Sequence, residues 1–352
     1  MSTTEISVPT TMQALQLASY GPAQTALKYV QVDTPKITEP TDVLVKIKAV
    51  GVNPVEGKLR AGNLWVASLN LPAILGADFS GVVVQRGEKV SDLLIGDEVY
   101  GSIRVPFNRG GTYAEYAVVS TTKDAIAKKP EHMSFEEAAA VGIAALTAFE
   151  GVVKQGKLST DHPGKLLVAG ASGGVGSYAV QIGKAVGASV VGICSGKNKE
   201  FVSSIGADRV VNYQSKEEME VLAQEKGSYD VIFDCVGGDE YFNQLSPLLQ
   251  STGVYCSAVG PVQHLGAAKL SIRDLLTLGG KVGFRTLFGR QKYNVIVSLP
   301  RKDFQPKLHP LFDNKSVRSI ILDGHIFDLK DGAKAHELLE THRTVGKIVL
   351  RV

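Results

Sequence analysis

Leu166-Leu-Val-Ala-Gly-Ala-Ser-Gly-Gly-Val-Gly176 is the stretch on which the reading of this chain turns. It opens on a continuous apolar run, the pattern of a strand covered on both faces. Four glycines then fall within seven residues: Gly170, Gly173, Gly174 and Gly176. Beyond them Ala179, Ile182 and Val186 recur on one face of a helix that starts at Val175. A strand, a tight glycine turn and a helix form the context that a phosphate-binding turn requires. Glycine lets the backbone approach a pyrophosphate, and the helix start offers free N–H groups and a positive dipole to the charge. A merely flexible turn does not account for four glycines at such a junction.

Outward from the turn, strands and helices alternate. Apolar or β-branched runs at 165–169, 189–194, 209–212, 230–234, 253–259 and 281–284 read as strands with helices between them. That alternation predicts a parallel, doubly wound sheet. Upstream, Ser134 with Glu137 three residues later is a capping box opening an Ala-rich helix over 135–154. Before it the chain is β-rich, with strands at 42–50, 81–85 and 97–101 separated by glycine turns in an antiparallel, barrel-like pattern. The last fifty residues return to this style, with strands at 318–322 and 347–351 around an amphipathic helix at 330–339. The expected organisation is a β-rich domain, 1–130, completed by 303–352, with an α/β domain, 131–302, inserted in it.

The second strand of the α/β unit bears on which dinucleotide would sit on the turn. NAD-binding chains place an Asp or Glu at its end, about 20 residues beyond the glycines, to hold the ribose 2′-hydroxyl. Here the segment is Gly192-Ile-Cys-Ser-Gly-Lys-Asn-Lys199, without an acid. Ser195 can hydrogen-bond a 2′-phosphate, and Lys197 or Lys199 can supply positive charge. The expected cofactor is NADPH.

Composition sets the outer limits. At 352 residues the chain exceeds one ordinary core, which stops growing at about 250 to 300 residues. Apolar residues make up 44 % and charged residues 21 %, a globular mix, and 38 Lys and Arg stand against 35 Asp and Glu. So balanced a charge leaves no footprint for nucleic acid or a membrane surface. Residues 1–11 carry no signal or transit pattern, so the expected address is cytoplasmic. Cys194, Cys235 and Cys256 include no C-x-x-C pair and read as small buried apolar residues. No His pair stands at ligand spacing, and no metal is expected.

Taken together, the segments Gly51-Val-Asn-Pro-Val-Glu56, Leu75-Gly-Ala-Asp-Phe-Ser-Gly-Val-Val83, Gly96-Asp-Glu-Val-Tyr-Gly101, Gly110-Gly-Thr-Tyr-Ala-Glu-Tyr116, the glycine turn, Gly206-Ala-Asp-Arg-Val-Val-Asn-Tyr213 and Gly346-Lys-Ile-Val-Leu350 resemble the zinc-free quinone oxidoreductase branch of the medium-chain dehydrogenase/reductases. The resemblance covers essentially the whole chain. It implies a GroES-like β-barrel domain beside a Rossmann domain, with a cleft between them. It further implies that Asn53 and Thr147 face the nicotinamide end, that Ser195, Lys199 and Tyr213 surround the 2′-phosphate, and that Lys347 lies near the cofactor. Ser172, Val175 and Val236 complete the expected cofactor-binding set. Relatives of this kind are homodimers or homotetramers joined through the Rossmann sheet.

Zinc members of the superfamily carry a Cys where this chain has Asn53, a His where it has Ala77, and a Cys or Asp near Ile143. None of the three residues here binds zinc. Without that Lewis acid a soft acceptor suits the site better, a quinone or an activated C=C beside a carbonyl. Asn53 and Lys58 are the candidate hydrogen-bond donors; Asn-Pro-Val-Glu-Gly-Lys58 is similar to the Asn-Pro-Val-Asp-x-Lys of plant enone reductases. Trp65 is a candidate for the substrate mouth, whose loops are expected at 60–70 and 285–294. The alternative is a catalytically weak NADPH-binding scaffold or sensor.

Overall fold

The run before the glycine turn is the strand Lys165–Ala169, with its last four residues buried. The computed structural model describes residues 7–63, 69–104, 110–261, 271–289, 291–296 and 304–352. Lys165–Ala169 lies inside a six-stranded sheet whose order is Arg209–Asn212, Ser189–Cys194, Lys165–Ala169, Tyr229–Asp234, Leu249–Ser257, Lys292–Val295. Every pairing in it is parallel. Chain order runs outward in both directions from Lys165–Ala169, so the topology reverses beside it. Ligands of open α/β sheets bind at the carboxyl end of such a switch point, and that is where the glycines stand.

Two predicted strands are corrected. Residues 281–284 lie inside the helix Ile272–Phe288, and the sixth strand is Lys292–Val295. A capping box of Ser271 with Asp274 starts that helix ten residues earlier, and a four-residue segment such as Lys281-Val-Gly-Phe284 is too short to be told from part of a helix by its period. At 318–322 there is a single bridge, Ile321 to Gly346, rather than a strand; the strand of this region is Ile326–Asp328. The helix predicted over 135–154 is broken into Phe135–Ala139 and Gly142–Phe149, followed by a wider turn at Glu150–Gln155.

The second sheet is largely antiparallel. Ile326–Asp328, Ile348–Arg351, Asp42–Val52, Asp78–Arg86, Glu98–Ser102 and Ala125–Lys128 follow one another, and Tyr116–Ser120 also pairs with Asp42–Val52. Its core holds Leu15, Val45, Ile47, Phe79, Val99 and Ile348, all at most 2 % exposed. Each such side chain contributes about 1.5–3 kcal/mol by leaving water. Segment 304–317 packs on the side of the parallel sheet, where Phe304, Leu308 and Phe312 join Tyr178, Leu166 and Phe233. No described helix is long and apolar enough to cross a membrane.

One register positions the site. Ile348 pairs antiparallel with Val52, so Lys347, the residue before the strand Ile348–Arg351, faces Asn53, the residue after the strand Asp42–Val52. Gly346 meanwhile bridges to Gly173 of the glycine turn, and its N–H donates to Ser172 O at 2.9 Å. The closing strand therefore joins the barrel to the turn.

Candidate active site

At the carboxyl end of the parallel sheet a cleft of about 860 Å³ runs between the two sheets. Its floor is the turn. Gly170 has a left-handed φ of +74°, and a Cβ on Gly176 would stand 2.1 Å from Gly170 O, so both positions require glycine. The helix Gly174–Ala185 starts in the cleft, and the first N–H groups of a helix have no intrahelical acceptor. Ser172, Gly173, Gly174, Val175 and Gly176 line this floor, and Cys235, Val236, Tyr241, Ala258 and Val259 line the wall beside it. Cys194 and Cys256 are buried as expected, whereas Cys235 is only half-buried.

At one end lie Ser195, Lys197, Asn198, Tyr213 and Gln214. Ser195 is 9 % exposed, and its Oγ has no hydrogen-bond partner among the described residues. A buried hydroxyl without a partner costs about 1–3 kcal/mol, which a ligand oxygen would recover. Lys199 does not reach the cleft: its ammonium sits 3.0 Å from Glu218 Oε1. Lys197 lines the cleft in its place. The described acid among the lining residues is Glu340, which is paired with Arg60.

At the other end Asn53 caps the helix Pro54–Arg60 in a capping box with Glu56. Glu56 Oε2 accepts from Asn53 N at 2.6 Å. Asn53 is 1 % exposed, and its amide is committed on both sides: Nδ2 donates to Asp78 Oδ2 at 2.9 Å, and Oδ1 accepts from Lys347 Nζ at 2.5 Å. Lys347 also donates to Val52 O at 3.0 Å, while its stem lies over Gly174. Burial, and then the charge of Asp78, push the Glu56 carboxyl up to about 8, which favours its neutral form. Half-buried Lys58 lines the cleft on the same helix, and burial lowers its pKa below the ordinary lysine value. Thr147 is 7 % exposed and does not reach the cleft surface; Ala144, one turn earlier, does.

The barrel-side wall also carries His336, His342 and Arg343, which the sequence reading did not single out. His336 is fully buried and held neutral: burial first, and then the charge of Arg60, push it down to about 3. Its Nε2 lies 3.3 Å from the Tyr113 hydroxyl, and its Nδ1 has no partner among the described residues. No local pattern marks these residues, because the helix Gly332–Glu340 and its following loop reach the cleft only through tertiary packing. Trp65 lies outside the described residues, as does part of each loop expected at the mouth; no described residue of 61–70 or 285–294 lines the cleft.

Comparison with known proteins agrees with this architecture. Residues 39–131 match the family model described as alcohol dehydrogenase GroES-like domain, and residues 205–350 match the one described as zinc-binding dehydrogenase. The chain is 34 % identical over 358 residues to a 2-methylene-furan-3-one reductase of Solanum lycopersicum, an alignment covering 99 % of this chain and 81 % of that protein. It is 31 % identical to a chloroplastic NADPH-dependent alkenal/one oxidoreductase of Arabidopsis thaliana, with the same coverage. Among solved structures, the quinone oxidoreductase from Coxiella burnetii superposes with a TM-score of 0.79 at 31 % identity, covering 97 % of this chain and 99 % of that one.

Proposed function

Because the chain belongs to the medium-chain dehydrogenase/reductase superfamily, we propose that it is an oxidoreductase that delivers hydride from NADPH to a quinone or an α,β-unsaturated carbonyl, without zinc. The observation that carries the cofactor half is the partnerless buried hydroxyl of Ser195 at the end of the second strand, with Lys197 beside it and no acid from that strand in the cleft. An acid there would repel a 2′-phosphate; a hydroxyl and a cation suit one. The acceptor half rests on the relatives, whose names are those of enone, alkenal and quinone reductases.

Bound NADPH supplies the hydride. This chain's residues would hold and orient it: the N–H groups at the start of Gly174–Ala185 would receive the pyrophosphate, with Arg343 and His342 also lining the cleft. Asn53, held by Lys347 and Asp78, would form a rigid support for the nicotinamide end. Lys58 is the donor we assign to the acceptor oxygen as negative charge develops there, and its lowered pKa eases proton transfer. The metal-free reading rests on the resemblance, by which Asn53, Ala77 and Ile143 stand at the positions where zinc members carry ligands.

The test is NADPH oxidation against a benzoquinone, an ortho-quinone, a 2-alkenal and a cyclic enone, with NADH as control and after dialysis against a chelator. Turnover of one acceptor with NADPH preferred, unchanged by the chelator, is the expected result. Tight NADPH binding with every acceptor inert would instead favour a scaffold or sensor, and activity lost to the chelator and restored by zinc would overturn the metal-free reading.

A further inference from the structure

Asp78 lies fully buried below the cleft, at 0 % exposure. It accepts from Asn53 Nδ2 at 2.9 Å and from Ile143 N at 2.8 Å, and Lys347 Nζ stands 3.8 Å away. Two glycines leave room for it. A Cβ on Gly142 would stand 1.9 Å from Asp78 Oδ1, and one on Gly51 would stand 3.1 Å from Oδ2. Burying a carboxylate beside a cation is at best neutral for stability compared with a well-packed apolar pair. The arrangement is therefore explained better by what it holds than by what it stabilises.

What it holds is the sense of one amide. A lysine ammonium only donates, and a carboxylate only accepts. Between Lys347 and Asp78 the Asn53 side chain is satisfied in a single orientation, oxygen toward the lysine and nitrogen toward the aspartate. The same carboxylate ties down the start of the helix Gly142–Phe149, which brings Ala144 to the cleft. Lys347, across from it, carries its stem over Gly174 of the phosphate turn. Three walls of one end of the cleft thus converge on Asp78, which itself does not line it.

We propose that Asp78 is a positioning residue for hydride transfer, acting through Asn53 and Lys347 by locking the Asn53 amide and with it the floor on which the nicotinamide rests. The inference rests on the cleft being the NADPH site. Asparagine in place of Asp78 both donates and accepts, so the shape is kept while the acceptor-only partner is lost, leaving Lys347 alone to fix the sense and position of the Asn53 amide.

The test is Asp78→Asn in the full chain, with Lys347→Met as a second variant should the first fail to fold. NADPH is titrated into each protein with nicotinamide fluorescence as the readout, beside thermal melting and turnover. For D78N the affinity is expected within about threefold of the unmodified chain, while the fluorescence enhancement of bound NADPH falls by about half or more; kcat is expected to fall by up to about 100-fold, the cost of a misplacement of about 1 Å at the reacting groups, with the acceptor KM nearly unchanged. K347M is expected to lose the enhancement in the same way. A bound-NADPH spectrum and kcat like those of the unmodified chain overturn the proposal, as does loss of affinity and melting temperature together with an unaltered spectrum. If the unmodified chain binds NADPH but reduces no acceptor, the fluorescence comparison alone decides. If it does not bind NADPH, the cofactor reading fails, and this inference fails with it.

Discussion

Lys347 donates to the amide oxygen of Asn53 at 2.5 Å across 294 residues of chain. The antiparallel pairing of Ile348 with Val52 brings the two together, and the bridge from Gly346 to Gly173 places the phosphate turn within one residue of the same junction. Glycine turn and barrel therefore meet around the buried Lys347. Burial lowers the Lys347 pKa below the ordinary lysine value, an effect that the charge of Asp78 only partly offsets.

Ser195→Asp should reverse the cofactor preference. The new carboxylate would stand where a 2′-phosphate needs a donor. At a separation of about 5 Å and an effective dielectric of about 20, that repulsion is about 3 kcal/mol, roughly 100-fold in affinity. The ratio of kcat/KM for NADPH over NADH should fall by about that factor. An unchanged ratio would show that this end of the cleft does not receive the 2′-phosphate.

Lys197→Ala and Lys199→Ala separate the two lysines that sequence alone leaves equivalent. Lys197 lines the cleft, and Lys199 is paired with Glu218. K197A should raise the Kd for NADPH about tenfold, the weight of one charge-assisted contact of about 1.4 kcal/mol, and leave NADH binding alone. K199A should change NADPH binding by less than about twofold, since an exposed ion pair contributes at most about 1 kcal/mol to the fold. Isothermal titration with both cofactors checks the pair.

Gly176→Ala drives a Cβ to within 2.1 Å of the Gly170 carbonyl, a backbone atom that cannot swing away. Overpacking of this kind costs about 1–3 kcal/mol. The melting temperature should drop and NADPH affinity should fall at least tenfold, because the turn must open to admit the methyl group. A variant that binds and melts like the unmodified chain would contradict the tight turn.

Glu56 gives the fold a pH dependence with a definite sign. Its carboxyl, raised from 4.5 to about 8 by burial and then by Asp78, favours the neutral form in the folded state. The stability it contributes is fully present below about pH 4.5 and is lost as pH rises toward 8. Against Glu56→Gln, whose amide does not ionise, the unmodified chain should lose melting temperature progressively across that window. Parallel curves for the two proteins would mean that Glu56 is ionised throughout.

Much of the fold is legible in local pattern. The strands at 165–169, 189–194 and 209–212 coincide with the runs that predict them, because a buried parallel strand is a short apolar segment bounded by turns. The Ser134–Glu137 capping box is present as expected, since both of its hydrogen bonds are local. Pattern failed where the run was short. Residues 281–284 have no period of their own, and a helix begun at Ser271 carries through them. Among the site residues, the glycines, Asn53, Lys58, Ser195, Tyr213, Val236 and Lys347 all meet in the cleft, while Thr147 and Lys199 do not line it.

The sequence by itself determined the tight glycine turn, the strand–helix alternation around it and the absence of an acid at the end of the second strand. Each is written in neighbouring residues, where backbone sterics and hydrophobic period act. Only the tertiary structure decided that Lys199 is spent on Glu218, that Asp78 orients Asn53, and that His336, His342 and Arg343 join the wall. Those facts depend on strand register and on burial among residues hundreds of positions apart. The identity of a charged side chain does not reveal its partner; the partner is fixed when packing removes both from water.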